Sequence, residues 1–177
     1  MGKSIVIKMG GGTIGATDTT MEDIVTLSKS EVFPVLVHGG GSAVTEWLSD
    51  LGIQTDFISG LRVTDENVLR VATAVLTGLV NKNIVAGIHR SGGRAIGISG
   101  IDDAMVVAEI QDPELGKVGV VKQVNPNLVL TAIENRIIPV ISSISMTPSP
   151  TFSVVNVNAD SVAGAVAGSL KSEKVIF

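Results

Sequence analysis

The sequence predicts an α/β fold, a mainly parallel open sheet with helices on both faces. Hydrophobic residues fill 45% of the 177 positions and charged residues 17%, which supplies enough apolar surface for a sizeable core. The short apolar segments are continuous rather than alternating, as in strands that are buried on both faces. These segments alternate with stretches of helical periodicity, which is the order of elements in a parallel α/β sheet.

The first part of the chain predicts strands at residues 4–9 and 35–38 and helices at 21–28 and 42–51. Both strands lead directly into glycines, which begin at Gly10 and Gly39. The second helix ends at Gly52, and glycine is a common helix stop. Glycines at the ends of two strands make these loops the first candidates for a binding site.

The longest helical pattern runs over residues 64–88. We expect Thr64 to be its N-cap, with Asp65 and Glu66 in the first turn, where the helix dipole favours anions. Apolar residues cover much of the helix circumference, more than one face of a sheet buries. This pattern predicts a homodimer contact through the helix.

The rest of the chain predicts strands at 95–98, 105–110, 118–121, 138–144 and 175–177 and helices at 125–135 and 159–170. Residues 95–124 are interpreted as a hairpin excursion from the main sheet. Asn158 is expected to cap the helix at 159–170. No linker or low-complexity segment divides the chain, so we expect one domain over residues 1–177.

Composition excludes several classes of function. The chain has no cysteine, which rules out disulfide scaffolds, thiol catalysis, Fe–S clusters and cysteine-ligated zinc. The net charge is −4 and no run of Lys or Arg occurs, which argues against general nucleic-acid binding. No N-terminal signal peptide and no uncharged apolar run of membrane length is apparent. We expect a soluble, cytoplasmic protein with no membrane partner.

Two glycine clusters, Gly10–Gly12 and Gly39–Gly41, each follow a predicted strand. In open α/β sheets ligands bind beyond the carboxyl ends of strands, and glycine lets backbone N–H groups approach an anion. Lys8 adds an ammonium group beside the first cluster. The pattern predicts a phosphate or carboxylate cradle, with tight turns beside a solvated lysine as the alternative.

Three familiar loop motifs fit less well. Gly10, Gly12 and Gly15 match the G-x-G-x-x-G of dinucleotide-binding domains, but His38 stands where the ribose-binding acid is needed. The His38–Gly41 stretch resembles an esterase oxyanion loop, but the chain has no G-x-S-x-G elbow. A Walker A loop is also absent. A dinucleotide-binding domain stays as a disfavoured alternative.

Individual polar residues allow two interpretations each. His38 is either a packed strand-end histidine or a base, and His89 is a capping cation or a surface residue. Arg62 can bind a carboxylate in bidentate geometry or be a solvated loop residue. Asn156 lies in an extended stretch before the capped helix, and a capping role does not account for an asparagine at this position. Asp160 is expected in the first turn of that helix.

Taken together, the residues resemble the amino acid kinase family, and within it the branch that phosphorylates N-acetyl-L-glutamate. The matching stretches, in chain order, are K-M-G-G from Lys8, H-G-G-G from His38, G-L-R-V-T-D from Gly60, V-N-K from Val80, L-G-K-V-G from Leu115, V-N-P from Val124, I-P-V-I from Ile138 and N-V-N-A-D from Asn156. Each stretch is weak alone, but eight in order over nearly the whole chain are specific. The G-L-R-V-T-D stretch favours this branch over carbamate or aspartate kinases.

The resemblance implies phosphorylation of the γ-carboxylate of N-acetyl-L-glutamate by ATP, with Mg²⁺, in arginine biosynthesis. It implies a catalytic pair, Lys8 and Asp160, in which Lys8 stabilises the transferring phosphoryl group. It implies substrate binding by Gly40, Gly41, Arg62 and Asn156, and phosphate binding by Gly10, Gly11, Gly12 and Asn158. It assigns no residue of this chain to a metal, and it implies a homodimer.

The chain departs from the family in three places. Family members run well past 177 residues into a nucleotide-binding half with a second catalytic lysine, which is not in this sequence. The stretch from Ser99 to Asp103 differs from a commoner S-G-K-D-G, and the first glycine loop reads G-G-G-T. We therefore expect a substrate-binding lobe with negligible kinase activity alone. The alternative is a non-catalytic binding or dimerisation module for N-acetylglutamate or a related acyl amino acid.

Overall fold

A computed structural model of the chain describes residues 3–10 and 19–177. The strands are β1 Lys3–Met9, β2 Val32–His38, β3 Phe57–Ile58, β4 Leu61–Arg62, β5 Ala95–Ser99, β6 Val106–Ile110, β7 Val118–Val124, β8 Ile138–Ser142, β9 Ile144–Met146, β10 Val154–Val157 and β11 Lys174–Ile176. The α-helices are α1 Thr20–Ser28, α2 Gly41–Asp50, α3 Glu66–Thr73, α4 Asn81–Arg90, α5 Asn127–Glu134 and α6 Ala159–Leu170.

The main sheet has five strands in the order β11-β1-β2-β8-β5, and every neighbouring pair is parallel. Its register aligns the carboxyl ends of the strands. Met9 pairs with His38, His38 with Ser142, and Ser142 with Ser99. The loops that follow these four strands therefore leave the sheet at one edge.

Helices cover both faces of this sheet. On one face α6 packs its buried Val166 into a group that includes Val6 and Val35 of the sheet, all fully buried. On the other face α1 and α4 pack against the sheet in a group that includes Leu36 of β2 and Ile88 of α4. The predicted fold class, a mainly parallel open sheet with helices on both faces, is confirmed.

The long helix is continuous from Glu66 to Arg90, with a π-helical segment at Ala74–Val80 between α3 and α4. Its N-cap is Asp65, whose carboxylate accepts a hydrogen bond from the N–H of Val68 at 2.8 Å. The prediction of Thr64 as the cap was wrong by one residue, because the Thr64 side chain is buried and bonded elsewhere. Its 25 residues, with a hydropathy of 1.4, are long and apolar enough to cross a membrane, but core helices of soluble proteins pass the same criterion.

A second, smaller sheet closes on itself in the order β10-β7-β6-β9. It contains the hairpin of β6 with β7, as predicted for residues 95–124, and it also takes two later strands. The prediction was wrong for β5, which pairs with β8 in the main sheet. The single strand predicted at 138–144 is two strands, because the chain leaves the main sheet after Ser142 and enters the small sheet at Ile144. The short hairpin β3–β4 was not predicted.

Candidate functional site

Two helices begin at the carboxyl edge of the main sheet. Helix α2 starts at Gly41, directly after β2, and α6 starts at Ala159, directly after β10. The two starts are close together, since a Cβ placed on Gly39 would lie 3.4 Å from the Cβ of Ala159. Helix N-termini carry free N–H groups and partial positive charge, so this edge favours an anion.

Gly40 has a backbone that requires glycine. Its φ of +149° is outside the range of ordinary L-residues, and an added Cβ would lie 2.8 Å from Cδ2 of Leu76 and 3.2 Å from Cγ2 of Val80. Both neighbours belong to the π-helical segment. The widened turn of the long helix therefore packs directly beneath the glycine loop.

Lys8 and Asp160 form an ion pair at the same edge. The Lys8 Nζ lies 2.9 Å from Asp160 Oδ1, with the lysine side chain 24% exposed and the carboxylate 53%. Asn158 caps α6 as predicted, and its Oδ1 accepts hydrogen bonds from the N–H groups of Asp160 and Ser161. The cap fixes the first turn of α6, and that turn holds the carboxylate against the lysine of β1.

A pocket of about 190 Å³ lies beside the glycine loop. Five predicted substrate-binding or phosphate-binding residues line it, namely Gly40, Gly41, Arg62, Asn156 and, at its α6 side, Asn158. A second pocket of about 140 Å³ shares Gly39 and Gly40 with the first and reaches Met9 and Gly10. The two pockets therefore meet at the loop that follows β2.

Arg62 is held in the first pocket by three groups on two elements, α2 and β3. Its Nη2 donates to the carbonyl oxygen of Gly41 at 3.1 Å and to Thr45 Oγ1 at 2.7 Å. Its guanidinium carbon lies 4.6 Å from the centre of the Phe57 ring, a cation–π contact. This rules out the alternative of a solvated loop arginine.

The other guanidinium nitrogen of Arg62, Nη1, is buried and has no hydrogen-bond partner among residues 3–10 and 19–177. Burial lowers the pKa of Arg62 from its ordinary value, but an arginine stays charged at neutral pH. A buried, charged donor without a partner is costly unless a ligand completes it. A carboxylate matches the planar geometry of this group.

Asn156 lines the pocket opposite Arg62, on β10. Its Nδ2 donates to Thr64 Oγ1 at 3.2 Å, which is the bond that connects β10 to the segment after Arg62. The side chain is partly exposed to the pocket. Among the residues that the structure describes, the Asn156 side chain makes this one hydrogen bond, so it has further hydrogen-bonding capacity.

His38 is packed, and the structure favours that alternative over a base. It is 1% exposed, and its Nδ1–H donates to the carbonyl oxygen of Gly39 at 2.8 Å while Nε2 accepts from Asn81 Nδ2 at 3.0 Å. Burial lowers its pKa from the ordinary 6.5, more than the bond to Gly39 raises it. Asn81 also donates to the carbonyl of Val140, so this histidine connects the long helix to the sheet.

The structure brings most of the predicted site residues to one edge. These residues lie at or beside the two pockets, or they form the ion pair between β1 and α6. They are Lys8, Gly10, Gly40, Gly41, Arg62, Asn156, Asn158 and Asp160. Gly11 and Gly12, predicted to bind phosphate, lie outside the described residues. No group of three or more His, Asp or Glu that could hold a metal occurs in the described part of the chain.

Sequence reasoning missed three residues that hold Arg62 and Asn156, namely Thr45, Phe57 and Thr64. The sequence does indicate the hairpin that carries Phe57, because apolar residues flank Ser59–Gly60. In the structure both of these turn residues have positive φ. Such a two-residue turn is typical of a hairpin. Thr45 and Thr64 carry no comparable pattern.

Comparison with known proteins gives one consistent result. The model of the amino acid kinase family matches residues 3–177. The acetylglutamate kinase of Dehalococcoides mccartyi strain BAV1 is 42% identical over 98% of this chain and 65% of its own length. That of Halothermothrix orenii is 44% identical over 99% of this chain and 63% of its own length.

Among solved structures, smu.665 from Streptococcus mutans UA159 superposes with a TM-score of 0.86 at 29% identity, covering 97% of this chain and 70% of that one. The chain therefore spans about 65% of the length of the first curated relatives that it matches.

Proposed function

The chain belongs to the amino acid kinase family, and from that premise we propose that it is the substrate-binding lobe of a kinase that phosphorylates the γ-carboxylate of N-acetyl-L-glutamate. The observation that carries the proposal is the charged side chain of Arg62, which lines a pocket of about 190 Å³ and whose buried Nη1 has no partner among the described residues. A carboxylate of the substrate would complete it. The single domain over residues 1–177 is part of the same proposal.

The two carboxylates of the proposed substrate fit the arrangement of the two pockets. With its α-carboxylate on Arg62, the dicarboxylate extends along Gly40 and Gly41 towards the second pocket and Gly10. Its γ-carboxylate then approaches the N-termini of α2 and α6, where charge on the reacting oxygens is stabilised. Arg62 and Asn156 therefore select and orient the substrate, and they take no part in the bond changes.

The remaining proposed roles concern the phosphoryl group. Phosphoryl transfer depends on positioning and on donors around the equatorial oxygens rather than on a covalent nucleophile. Lys8 supplies a cation and Asp160 holds it in place. The backbone N–H groups at Gly10, Gly11 and Gly12 supply neutral donors, and the α6 terminus at Asn158 adds the partial positive charge of the helix. We infer that these residues bind the transferring phosphate.

ATP supplies the phosphoryl group when it is bound. The glycine loop fits its γ-phosphate end because it presents N–H donors without a Cβ in the way, and the helix termini add partial positive charge. We place the adenine contacts and a second catalytic lysine in the part of the relatives that this chain does not span. Mg²⁺ would be held by the nucleotide phosphates, and we assign it no residue among those described.

A second proposal concerns assembly and location. A groove of about 340 Å³ between α2 and α3 is bordered by Trp47 and Leu51, which are 45% and 58% exposed. Leu79 of the π-helical segment is also 42% exposed. These apolar side chains support a homodimer through this lobe, in the cytoplasm. N-acetyl-L-glutamate is the small-molecule partner.

The function is tested by calorimetric titration of the purified chain with N-acetyl-L-glutamate and, separately, with ATP. Binding of the acyl amino acid without useful affinity for ATP supports the proposed lobe. A non-catalytic binding module gives the same titration, and turnover distinguishes the two once the nucleotide part is supplied. Binding of NAD instead would support the dinucleotide-binding alternative.

A further inference from the structure

Thr64 connects the two residues that we assign to the substrate. We propose that it is a positioning residue, which orients the Asn156 amide so that its carbonyl oxygen faces an N–H donor of the ligand. This inference rests on the proposed function and extends it, because it concerns how an acylamino group is distinguished from a plain dicarboxylate.

The Thr64 hydroxyl has two partners within the protein. It is 0% exposed, and its O–H donates to the carbonyl oxygen of Arg62 at 2.8 Å. Its oxygen accepts from Asn156 Nδ2 at 3.2 Å. A hydroxyl carries one proton, so a threonine that donates to Arg62 can only accept from Asn156. The amide nitrogen is therefore directed at Thr64.

The consequence is that Oδ1 of Asn156 is left available. It accepts no hydrogen bond from another residue among 3–10 and 19–177, and the Asn156 side chain lines the pocket. At neutral pH N-acetyl-L-glutamate is a dianion whose single hydrogen-bond donor is the acetamido N–H. The carboxylates can pair with Arg62 but not with Oδ1, so the oriented amide selects the acylamino group.

The backbone around Thr64 is fixed independently of the side chain. The N–H of Thr64 donates to the carbonyl of Leu115 at 3.0 Å, and its carbonyl accepts from the N–H of Lys117 at 2.7 Å. The N–H of Asn156 donates in turn to the carbonyl of Lys117 at 2.9 Å. These backbone bonds remain when the hydroxyl is removed, so its loss changes the orientation of the amide rather than the path of the chain.

Gly116 permits this close approach. Its φ is +68°, and an added Cβ would lie 2.5 Å from the carbonyl oxygen of Thr64. The glycine therefore belongs to the same arrangement, and its role is conformational. It explains why the L-G-K-V-G stretch, distant in sequence from Arg62, contacts the pocket.

The experiment compares N-acetyl-L-glutamate with glutarate, which is the same dicarboxylate without the acetamido group. Dissociation constants for both ligands are measured by NMR titration, which reads into the millimolar range, on the wild type, Thr64→Val and Thr64→Ser. Valine keeps the shape and removes the hydroxyl, and serine keeps the hydroxyl. Thermal melts identify any variant that is not folded, in which case Thr64→Ala replaces the valine variant.

In Thr64→Val we expect affinity for N-acetyl-L-glutamate to fall roughly tenfold, about 1.4 kcal/mol, while that for glutarate changes less than about threefold. Thr64→Ser should restore the wild-type ratio of the two constants. Equal weakening of both ligands in the valine variant, or an unchanged ratio, would overturn the inference. Absence of N-acetyl-L-glutamate binding by the wild type would instead contradict the proposed function itself.

Discussion

Lys8 and Asp160, which are near opposite ends of the sequence, form an ion pair of 2.9 Å at the carboxyl edge of the main sheet. The lysine is the next-to-last residue of β1, and the carboxylate lies in the first turn of α6. The lysine side chain is 24% exposed and the carboxylate 53%, so solvent partly screens the pair. It therefore contributes little to folding, since surface ion pairs contribute about 0–1 kcal/mol. We propose that it serves the site rather than stability, because Asp160 lies in the first turn of α6, at the carboxyl edge of the sheet.

The glycine loop offers a matched pair of stability tests. Gly40→Ala should destabilise the fold by about 1–3 kcal/mol, because alanine is strained at a φ of +149° and its Cβ would contact Leu76. Gly41→Ala is the control, since an added Cβ there meets nothing within 4 Å. Urea unfolding measures both variants. Equal stability of the two would show that the loop is not held against the long helix.

The burial of His38 predicts how the stability of the protein depends on pH. Its pKa in the folded protein is lowered by burial below the ordinary 6.5, so the unfolded chain binds a proton more readily than the folded one. Its contribution to stability is therefore complete above about pH 7 and is lost as pH falls through 6.5 towards the lower folded pKa.

Replacing His38 by Gln should lower stability at pH 7.5 but flatten its change between pH 7.5 and 5. His89→Gln, at an exposed position on α4, is the control that should keep the wild-type slope. Urea midpoints across this pH range measure the effect. An unchanged slope in His38→Gln would contradict the assignment of a buried, neutral histidine.

The apolar groove between α2 and α3 predicts a homodimer. At tens of micromolar, light scattering should give twice the mass of the 18.2 kDa chain. Trp47→Glu should shift the protein towards the monomer, because a charge would be buried at the contact. Lys122→Glu, on the small sheet, is the control. A wild-type monomer at these concentrations would argue against the interface.

The 177-residue chain alone should show negligible kinase turnover. Charge on the transferring phosphate spreads over three oxygens, and loss of one stabilising group typically costs 10²–10³ in rate. Without the nucleotide part, the positioning of ATP is lost as well, an effect of roughly 7–11 kcal/mol. A coupled ADP assay measures the rate. Turnover within tenfold of a typical ~10 s⁻¹ would contradict this account.

The sequence predicted the parallel sheet and the edge at which the site lies. Apolar runs ending in glycine at Gly10 and Gly39 placed both loops beyond strand ends, and the register of β1 with β2 confirms their alignment. The cap at Asn158 was also predicted, because a polar residue before a helical pattern has a local cause.

Long-range contacts could not be predicted. Thr64 was interpreted as a helix cap, since threonine is a good cap and nothing local shows that its hydroxyl bonds Arg62 and Asn156. The π-helical segment at Ala74–Val80 likewise has no sequence signature that we recognised. Both features depend on elements that are distant in sequence.

Calorimetric titration of three proteins measures whether this site binds N-acetyl-L-glutamate through Arg62. The wild type should bind, and Arg62→Ala should lose measurable binding because the carboxylate loses its buried, charged partner. Lys8→Ala should bind nearly as tightly as the wild type, since the lysine acts on the phosphoryl group. No binding by the wild type, or unchanged binding by Arg62→Ala, would contradict the account.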